Sequence, residues 1–316
     1  MPYSLVFRFT AVVAVCFALG CSGGGGDSQP SDDGAVEIYV VNYPLQYFAE
    51  RIVGDRAAVV FPAPPDGDPA YWLPDERQIA AYQGADLILL NGASYAKWVS
   101  MATLPESKTV NTSAGFKKKY RMLEGLVTHT HGPEGEHEHG DVDFHTWLDP
   151  ELAIMQAEAI AEAAGDLMPE HNDVFQENLA ALRSDLEDLD AALVAVASGD
   201  PELPVLASHP VYGYLAARYD WNLKSMHWEP DAMPGDDEWE KLDALLAEHP
   251  AKWMVWEAEP DVTIAEKLVA RGLNIAVFSP CGNVPTGKDY VQIMRANIAN
   301  LKPVFETLPE ESDSEE

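Results

Sequence analysis

Short apolar runs rich in Val, Ile and Leu alternate along this chain with longer stretches in which apolar residues recur at helical spacing. Runs of the first kind predict buried strands, and stretches of the second kind predict helices. Because the two alternate, the pattern predicts parallel sheets with helices packed against them. The predicted strands cover residues 36–41, 57–61, 85–90, 205–207, 223–226, 253–256 and 275–278.

The middle of the chain, residues 150–198, is rich in Ala, Leu and Glu, with few helix breakers apart from Gly165 and Pro169. It predicts two helices, the second running from about 171 to 197 and long enough to connect two lobes. The predicted fold class is therefore α/β, with two parallel-sheet lobes joined by a single long helix. Ligands of such sheets lie beyond the carboxyl ends of the strands, so we expect the site in the cleft between the lobes. The predicted boundaries are 35–168 for the N-terminal lobe, 169–200 for the linking helix and 201–308 for the C-terminal lobe.

Residues 1–20 have the pattern of a secretory signal. Arg8 precedes an apolar run, 11–19, that is too short to cross a bilayer, and small residues lead from this run into Cys21. This pattern predicts a lipoprotein signal, after which Cys21 is acylated and becomes the N-terminus. Ordinary cleavage and soluble secretion is the alternative. The glycine-rich residues 21–34 are then expected to form a flexible tether.

The charge balance is strongly acidic, since 20 Lys and Arg residues against 52 Asp and Glu residues give a net charge of −32. This argues against nucleic acid or anionic lipid as a partner and is compatible with attraction of cations, although solubility alone also explains such an excess. Cys281 is the only cysteine expected in the mature domain, so no disulfide forms within it. Residues 309–316 are predicted to be a disordered acidic tail.

Four of the nine histidines lie in residues 128–140 and alternate with glutamates. Neutral imidazole is the commonest metal ligand, and such tracts bind late first-row metals without a fixed fold. The segment has no core residues, so we expect a loop that collects metal weakly and is not the principal site. A merely solvated loop is the alternative. The four histidines are His129, His131, His137 and His139.

Further candidate ligands follow the predicted strands of the C-terminal lobe. His209, His227, Glu257 and Glu259 each stand just beyond the end of a strand, where a cleft site is expected. His145 follows the His-rich loop and is flanked by aromatic residues, an environment in which histidines more often pack than bind. His227 is also more typical of a packed or surface histidine. Two imidazoles and a carboxylate would suit zinc, and manganese less well.

Several motifs together resemble a known family, the zinc- and manganese-specific solute-binding proteins of ABC transporters (the ZnuA/TroA type). Residues 144–150 match its H-x-W-L-D-P element, which is the most specific of the motifs. Residues 84–92 are similar to its ADL…NG signature, 208–219 to its H-D-A-F…Y stretch, and 289–301 to its closing helix. The resemblance implies two α/β lobes joined by a rigid helix, with the metal held between them. It also implies a loop rich in histidines and acids, which marks many zinc-specific members.

By this resemblance, His145 and His209 are ligands, one from each lobe. One departure concerns the family's first ligand histidine, because Ala70 stands at its expected position. Asp68, water or a histidine of the His-rich loop could replace that ligand. A member that has lost tight metal binding is the alternative.

A second departure concerns the family's last carboxylate, which is expected where this chain has Ser279. Glu257 matches an acidic position of the family at the end of the preceding strand and could compensate. Cys281 lies in the same loop as Ser279 and is a candidate soft ligand, although a buried thiol is the commoner role. The resemblance therefore implies a rearranged site.

The function predicted from the sequence is capture of a divalent metal outside the cytoplasm and its delivery to an ABC permease. Zn²⁺ is the expected metal and Mn²⁺ the alternative. The protein is expected to be a monomer anchored to the cell envelope by lipid, with no nucleic-acid partner. A surface metallo-adhesin is the first alternative. A metallohydrolase is less favoured, and we predict no enzyme, because HExxH, a nucleophile elbow and a Gly-rich phosphate loop are all missing from the sequence.

Overall fold

The structure is a computed structural model that describes residues 36–123, 142–229 and 232–306. These described residues form one compact unit. The predicted signal, tether, His-rich loop and acidic tail lie outside the described residues. None of the described helices is long and apolar enough to span a bilayer.

The described part of the N-terminal lobe is built on a four-stranded parallel sheet. Its strand order is β2-β1-β3-β4, and Ile38 of β1 pairs with Val59 on one side and Leu87 on the other. Helices cover both faces of such sheets, which explains why the strands read as apolar runs. The strands are β1 (Val36–Val40), β2 (Ala57–Val60), β3 (Leu87–Leu90) and β4 (Thr109–Asn111).

The C-terminal lobe repeats this arrangement, since its described residues form a four-stranded parallel sheet of order β6-β5-β7-β8. In both sheets the first strand along the chain lies between the second and the third. The direction of strand progression therefore reverses between β1 and β3 and again between β5 and β7, where open sheets form ligand crevices. The strands are β5 (Pro204–Ala207), β6 (Asn222–Ser225), β7 (Trp253–Trp256) and β8 (Asn274–Val277).

The helices begin where the sequence offers capping groups. Asn42 and Asp149 cap α1 and α3, each with a proline in the first turn, and Asp289 and Gln292 form a capping box at α8. The helices are α1 (Tyr43–Val53), α2 (Glu76–Gly84), α3 (Pro150–Leu167), α4 (Asn172–Ala197), α5 (Gly213–Arg218), α6 (Asp236–Glu248), α7 (Val262–Val269) and α8 (Tyr290–Phe305).

Helix α4 connects the two lobes. Its 26 residues span about 39 Å at 1.5 Å per residue. One face packs against α1 and α3 of the N-terminal lobe and against α8 of the C-terminal lobe. The predicted fold class is confirmed. The buried residues of this face are Phe175, Leu179, Leu182, Leu186, Leu189 and Leu193.

The lobes also touch directly beside the cleft. The loop after β8 lies against the N-terminal lobe, where the Trp147 indole N–H donates to the Pro280 carbonyl at 2.7 Å and the Tyr43 N–H donates to the Gly282 carbonyl at 3.1 Å. The Tyr290 hydroxyl of α8 donates to the Trp147 carbonyl at 2.8 Å. These bonds fix the segment that carries His145 against the C-terminal lobe.

Candidate metal site

Three potential ligands converge at the carboxyl edge of the C-terminal sheet. His209 follows β5, Glu229 follows β6 and Glu257 follows β7, and β5 lies between the other two strands. One ligand atom from each side chain lies within 4.8 Å of the other two. The His209 Nδ1 is 3.4 Å from a Glu229 carboxylate oxygen. An imidazole and two carboxylates therefore share one small volume at the switch point of the sheet.

His145 faces this group from the N-terminal lobe. Its ring packs against Phe144 and Trp147, with centroid distances of 4.4 and 5.4 Å, and only 12% of the side chain is exposed. A positive charge on His145 lowers the pKa of both His209 and Glu257, which shows that it lies within electrostatic range of the two. The structure therefore brings His145, His209 and Glu257 to one region of the cleft.

Burial dominates the electrostatics of the site. Burial raises the pKa of Glu257 to about 7; the charge of His145 opposes this rise, and the carboxylates of Glu229 and Asp68 add to it. Burial also lowers the pKa of His209, although the Glu229 carboxylate opposes that shift. The His209 Nδ1 is buried and makes no hydrogen bond to any described residue. Near neutral pH the site thus offers neutral imidazole and a carboxyl group that a cation can deprotonate.

The remaining candidates lie at the margin of this group. Asp68 is exposed, and its carboxylate accepts the Ala70 N–H at 2.8 Å, yet its charge raises the pKa of Glu257. His227 is exposed, with its ring centroid 6.0 Å from that of His209. Glu259 is exposed and does not belong to the three-residue group. Asp68 therefore lies near the site without belonging to the three-residue group. Glu259 shares no ligand position with the other candidates.

The two departures from the family pattern have structural roles. Ala70 is fully buried and accepts the Lys97 N–H through its carbonyl. Ser279 exchanges two hydrogen bonds with the Asn297 side chain, and its hydroxyl accepts the Cys281 N–H at 3.3 Å. Burial raises the pKa of the Cys281 thiol to about 12, so this cysteine stays protonated and is a poor metal ligand.

Sequence reasoning missed Glu229. It follows β6, and the strand-end argument that selected His209 and Glu257 applies to it equally. The same argument selected His227 from that segment, two residues before Glu229. Glu229 and His227 are both exposed, and the strand-end argument could not decide which of them places a ligand atom near His209 and Glu257, since the segment has no regular secondary structure beyond Ser225.

Two α/β lobes around a shared cleft, with imidazoles and carboxylates at its strand ends, define a substrate-binding protein of the metal-binding type. The family model for the zinc-uptake complex component A, periplasmic (ZnuA), matches residues 38–304. The chain therefore belongs to the ZnuA family, whose members are metal ABC transporter substrate-binding proteins and not enzymes. The family predicted from the motifs is confirmed.

Two relatives and one solved structure illustrate the likeness. The zinc-binding lipoprotein AdcA of Streptococcus pneumoniae is 25% identical over 305 residues, covering 92% of this chain but only 59% of AdcA. The high-affinity zinc uptake system protein ZnuA of Bacillus subtilis is 27% identical over 312 residues, covering 92% of this chain and 95% of that protein. The Zn(II)-bound ZnuA-like domain of S. pneumoniae AdcA superposes with a TM-score of 0.73 at 22% identity, covering 87% of this chain and all of that domain. That structural likeness concerns the fold.

Proposed function

We propose that this protein captures Zn²⁺ outside the cytoplasm and delivers it to an ABC permease. The observation that carries the proposal is the convergence of His209, Glu229 and Glu257 within 4.8 Å at the switch point of the C-terminal sheet. His145 completes the set from the other lobe. The zinc-binding and zinc-uptake relatives support zinc as the metal and a transporter as the destination.

The proposed ligands are two imidazoles and two carboxylates. Four nitrogen and oxygen donors suit the tetrahedral preference of zinc, whereas manganese prefers more oxygen donors in an octahedral arrangement. Three of the four ligands come from the C-terminal lobe, and Glu229 takes the place of the donor that Ala70 does not provide. Mn²⁺ is the alternative metal, with the exposed Asp68 carboxylate as an additional oxygen donor.

Attachment and metal collection complete the proposal. Acylated Cys21 would hold the domain at the cell envelope as a monomer, through the tether of residues 21–34, and lipoprotein relatives support this anchor. His129, His131, His137 and His139 would raise the local metal concentration. Protons compete with the metal for neutral imidazoles, so affinity should fall as the pH drops through about 6.5.

The test is calorimetric titration of the metal-free mature chain with Zn²⁺ and then Mn²⁺, together with two matched variants. Glu229→Gln should weaken Zn²⁺ binding by at least about 10-fold, because it removes a charged donor. Glu259→Gln, at an exposed position near the same strand ends, should bind as tightly as the wild type. Wild-type affinity in Glu229→Gln would show that the ligand set is wrong, and a wild type without a tight site would refute metal capture.

A further inference from the structure

We propose that Asp143 is a positioning residue that fixes the tautomer and orientation of His145, and that the C-terminal lobe holds Asp143 in place. This inference rests on the proposed metal site, in which His145 is the ligand from the N-terminal lobe. It adds to that site a residue that does not itself contact the metal.

The first argument is the double hydrogen bond within residues 143–145. One carboxylate oxygen of Asp143 accepts both the backbone N–H and the ring Nδ1–H of His145, each at 2.9 Å. A carboxylate can only accept, so Nδ1 carries the proton and Nε2 keeps the lone pair that a metal needs. The Asp143 side chain is 2% exposed, so water does not compete for these bonds. The ring of His145 is thereby held with Nε2 available for a metal.

The second argument is that the other lobe shapes the surroundings of Asp143. The Tyr214 hydroxyl of α5 donates to the Asp143 carbonyl at 3.0 Å, and Tyr214 is itself buried. The neighbouring Gly213 leaves the space for the carboxylate, because a Cβ at this position would lie 2.7 Å from the second carboxylate oxygen. That oxygen is buried and has no hydrogen-bond partner among the described residues. Its place is therefore set by packing against α5.

Together these contacts make the orientation of the N-terminal ligand, His145, depend on residues of the C-terminal lobe. Gly213 and Tyr214 belong to the lobe that provides His209, Glu229 and Glu257. They determine where Asp143 lies, and Asp143 determines which nitrogen of the N-terminal ligand faces the cleft. Partners of this kind typically contribute 10–100-fold in metal affinity.

A purely structural role for Asp143 predicts a different outcome. Asp149 provides the matched control, because it is a buried carboxylate on the same segment that caps α3 and pairs with Arg218 at 3.4 Å without contacting His145. If burial of a carboxylate were all that mattered, Asp143→Ala and Asp149→Ala would have similar effects on metal binding.

The first measurement is ¹⁵N NMR of the histidines in the metal-free mature chain, with His145 assigned by a His145→Gln variant. We expect the Nδ1–H tautomer at His145 in the wild type and in Asp149→Ala. In Asp143→Ala we expect a shift toward the Nε2–H form that free imidazole side chains favour. Asp143→Asn retains an acceptor oxygen and should restore the wild-type tautomer. An unchanged tautomer in Asp143→Ala overturns the proposal.

The second measurement is Zn²⁺ affinity by competition with a chromophoric chelator. We expect a 10–100-fold loss in Asp143→Ala, less than about threefold in Asp149→Ala, and an intermediate loss in Gly213→Ala, which alters no donor. Adding Gly213→Ala to Asp143→Ala should have no further effect, because both act through the same carboxylate. An equal loss of affinity in Asp149→Ala contradicts the proposal. So does a double variant in which the losses caused by Asp143→Ala and Gly213→Ala add up.

The two measurements separate this inference from the proposed function. If the wild type binds no Zn²⁺ tightly, metal capture fails, yet the tautomer experiment still decides whether Asp143 positions His145. If Asp143→Ala does not fold, Gly213→Ala provides the comparison, because it displaces the same carboxylate and removes no hydrogen-bonding group. A wild-type tautomer together with wild-type affinity in Gly213→Ala then refutes the role of the C-terminal lobe.

Discussion

The two lobes have the same sheet topology, but different kinds of side chain follow the strands at their switch points. At the N-terminal switch point, Asn42 follows β1 and Asn91 follows β3. At the C-terminal switch point, His209 and Glu257 occupy the corresponding places after β5 and β7. The first pair consists of neutral amides, and the second consists of an imidazole and a carboxyl group that could bind a metal ion.

The N-terminal pair belongs to a closed network. The side-chain Oδ1 of Asn91 accepts hydrogen bonds from the side-chain amides of Asn42 and Gln156, at 3.2 Å each. The side-chain Nδ2 of Asn91 donates to the Phe144 backbone carbonyl at 3.0 Å. Gln156 also donates to the Thr112 hydroxyl at 3.0 Å. All of these side chains are buried, so the network is satisfied internally and specifies one arrangement of the edge.

The C-terminal edge leaves its polar groups available. The Ser208 hydroxyl is buried without a hydrogen-bond partner in the described part of the chain, and the His209 Nδ1 has the Glu229 carboxylate at 3.4 Å but makes no hydrogen bond to it. Glu257 holds its proton up to about pH 7. Uncompensated groups of this kind destabilise a fold unless a ligand compensates them. The N-terminal switch point thus contributes to stability, whereas the groups at the C-terminal switch point are those that the proposed function assigns to binding.

The comparison is tested most strongly by removing the two imidazoles. The double variant His145→Ala/His209→Ala should bind Zn²⁺ at least about 1,000-fold more weakly, because it lacks two proposed direct ligands. Even a residue that only hydrogen-bonds to a ligand typically contributes 10–100-fold in metal affinity. His209→Ala should change the stability of the metal-free protein by less than about 1 kcal/mol, since its ring has no hydrogen-bond partner in the described part of the chain. His145→Ala removes the ring donor of the buried Asp143 carboxylate and should cost about 1–3 kcal/mol. Competition titration and urea unfolding measure the two quantities.

The matched control for this pair is His249, a buried histidine whose ring Nε2 lies 3.0 Å from the Val205 carbonyl. His249→Ala should lower stability and leave affinity unchanged. Wild-type affinity in the double variant would remove these histidines from the site.

A substitution at the N-terminal edge should mainly lower the free energy of unfolding, whereas the substitutions at the C-terminal edge mainly lower metal affinity. Asn91→Ala leaves the Asn42 amide and the Phe144 carbonyl without their buried partner, so the free energy of unfolding should fall by about 2–4 kcal/mol. Asn300→Ala removes a comparable amide-to-carbonyl bond at an exposed position and should cost less than about 1 kcal/mol. Urea unfolding of the metal-free proteins measures both. If the two substitutions lowered the free energy of unfolding equally, the buried network would contribute no more stability than a single exposed hydrogen bond.

The pH dependence of Glu257 sharpens the contrast. Its pKa is raised from 4.5 to about 7 on folding, so the folded state keeps a proton that the unfolded state loses. Stability therefore declines as the pH rises from 4.5 to 7, and the full cost, on the order of 3 kcal/mol, applies above that window. Glu257→Gln should stabilise the metal-free protein by up to this amount at pH 8 and not at pH 4, while weakening metal binding.

Denaturant unfolding at the two pH values, with a chelator present, provides this measurement. Glu259→Gln at its exposed position should show no such difference. A gain of equal size at both pH values would contradict a buried, proton-holding Glu257.

The smallest effect is expected from residues outside both edges. Deletion of residues 128–140 should lower the number of weakly bound Zn²⁺ ions and change the affinity of the tight site by less than about threefold. Calorimetric stoichiometry measures this. Loss of all binding would place the principal site in the loop and not at the C-terminal edge.

Much of this arrangement follows from the sequence. The apolar runs predict the strands around both switch points, and the strand-end rule selects His209 and Glu257. β4 was missed because its three residues are only half-buried and form no apolar run. Glu229 was missed because the direction of a side chain cannot be derived from the sequence of an irregular segment. Asp143 was not selected from the sequence, because the hydrogen bond to His145 and the packing of its carboxylate against Gly213 of the other lobe are visible only in three dimensions.

Helix α4 and the core around it have a consequence for how the molecule unfolds. One face of the C-terminal sheet, including Val205 and Val255, belongs to the same apolar cluster as Ile38 and Phe48 of the N-terminal lobe and Phe175 of α4. Lobes that share a core in this way cannot melt one at a time, so heating should produce one cooperative transition. A ligand in the cleft then shifts that whole transition by mass action. Metal captured at the proposed site should therefore raise the melting temperature of both lobes together, and not only that of the lobe with most of the ligands.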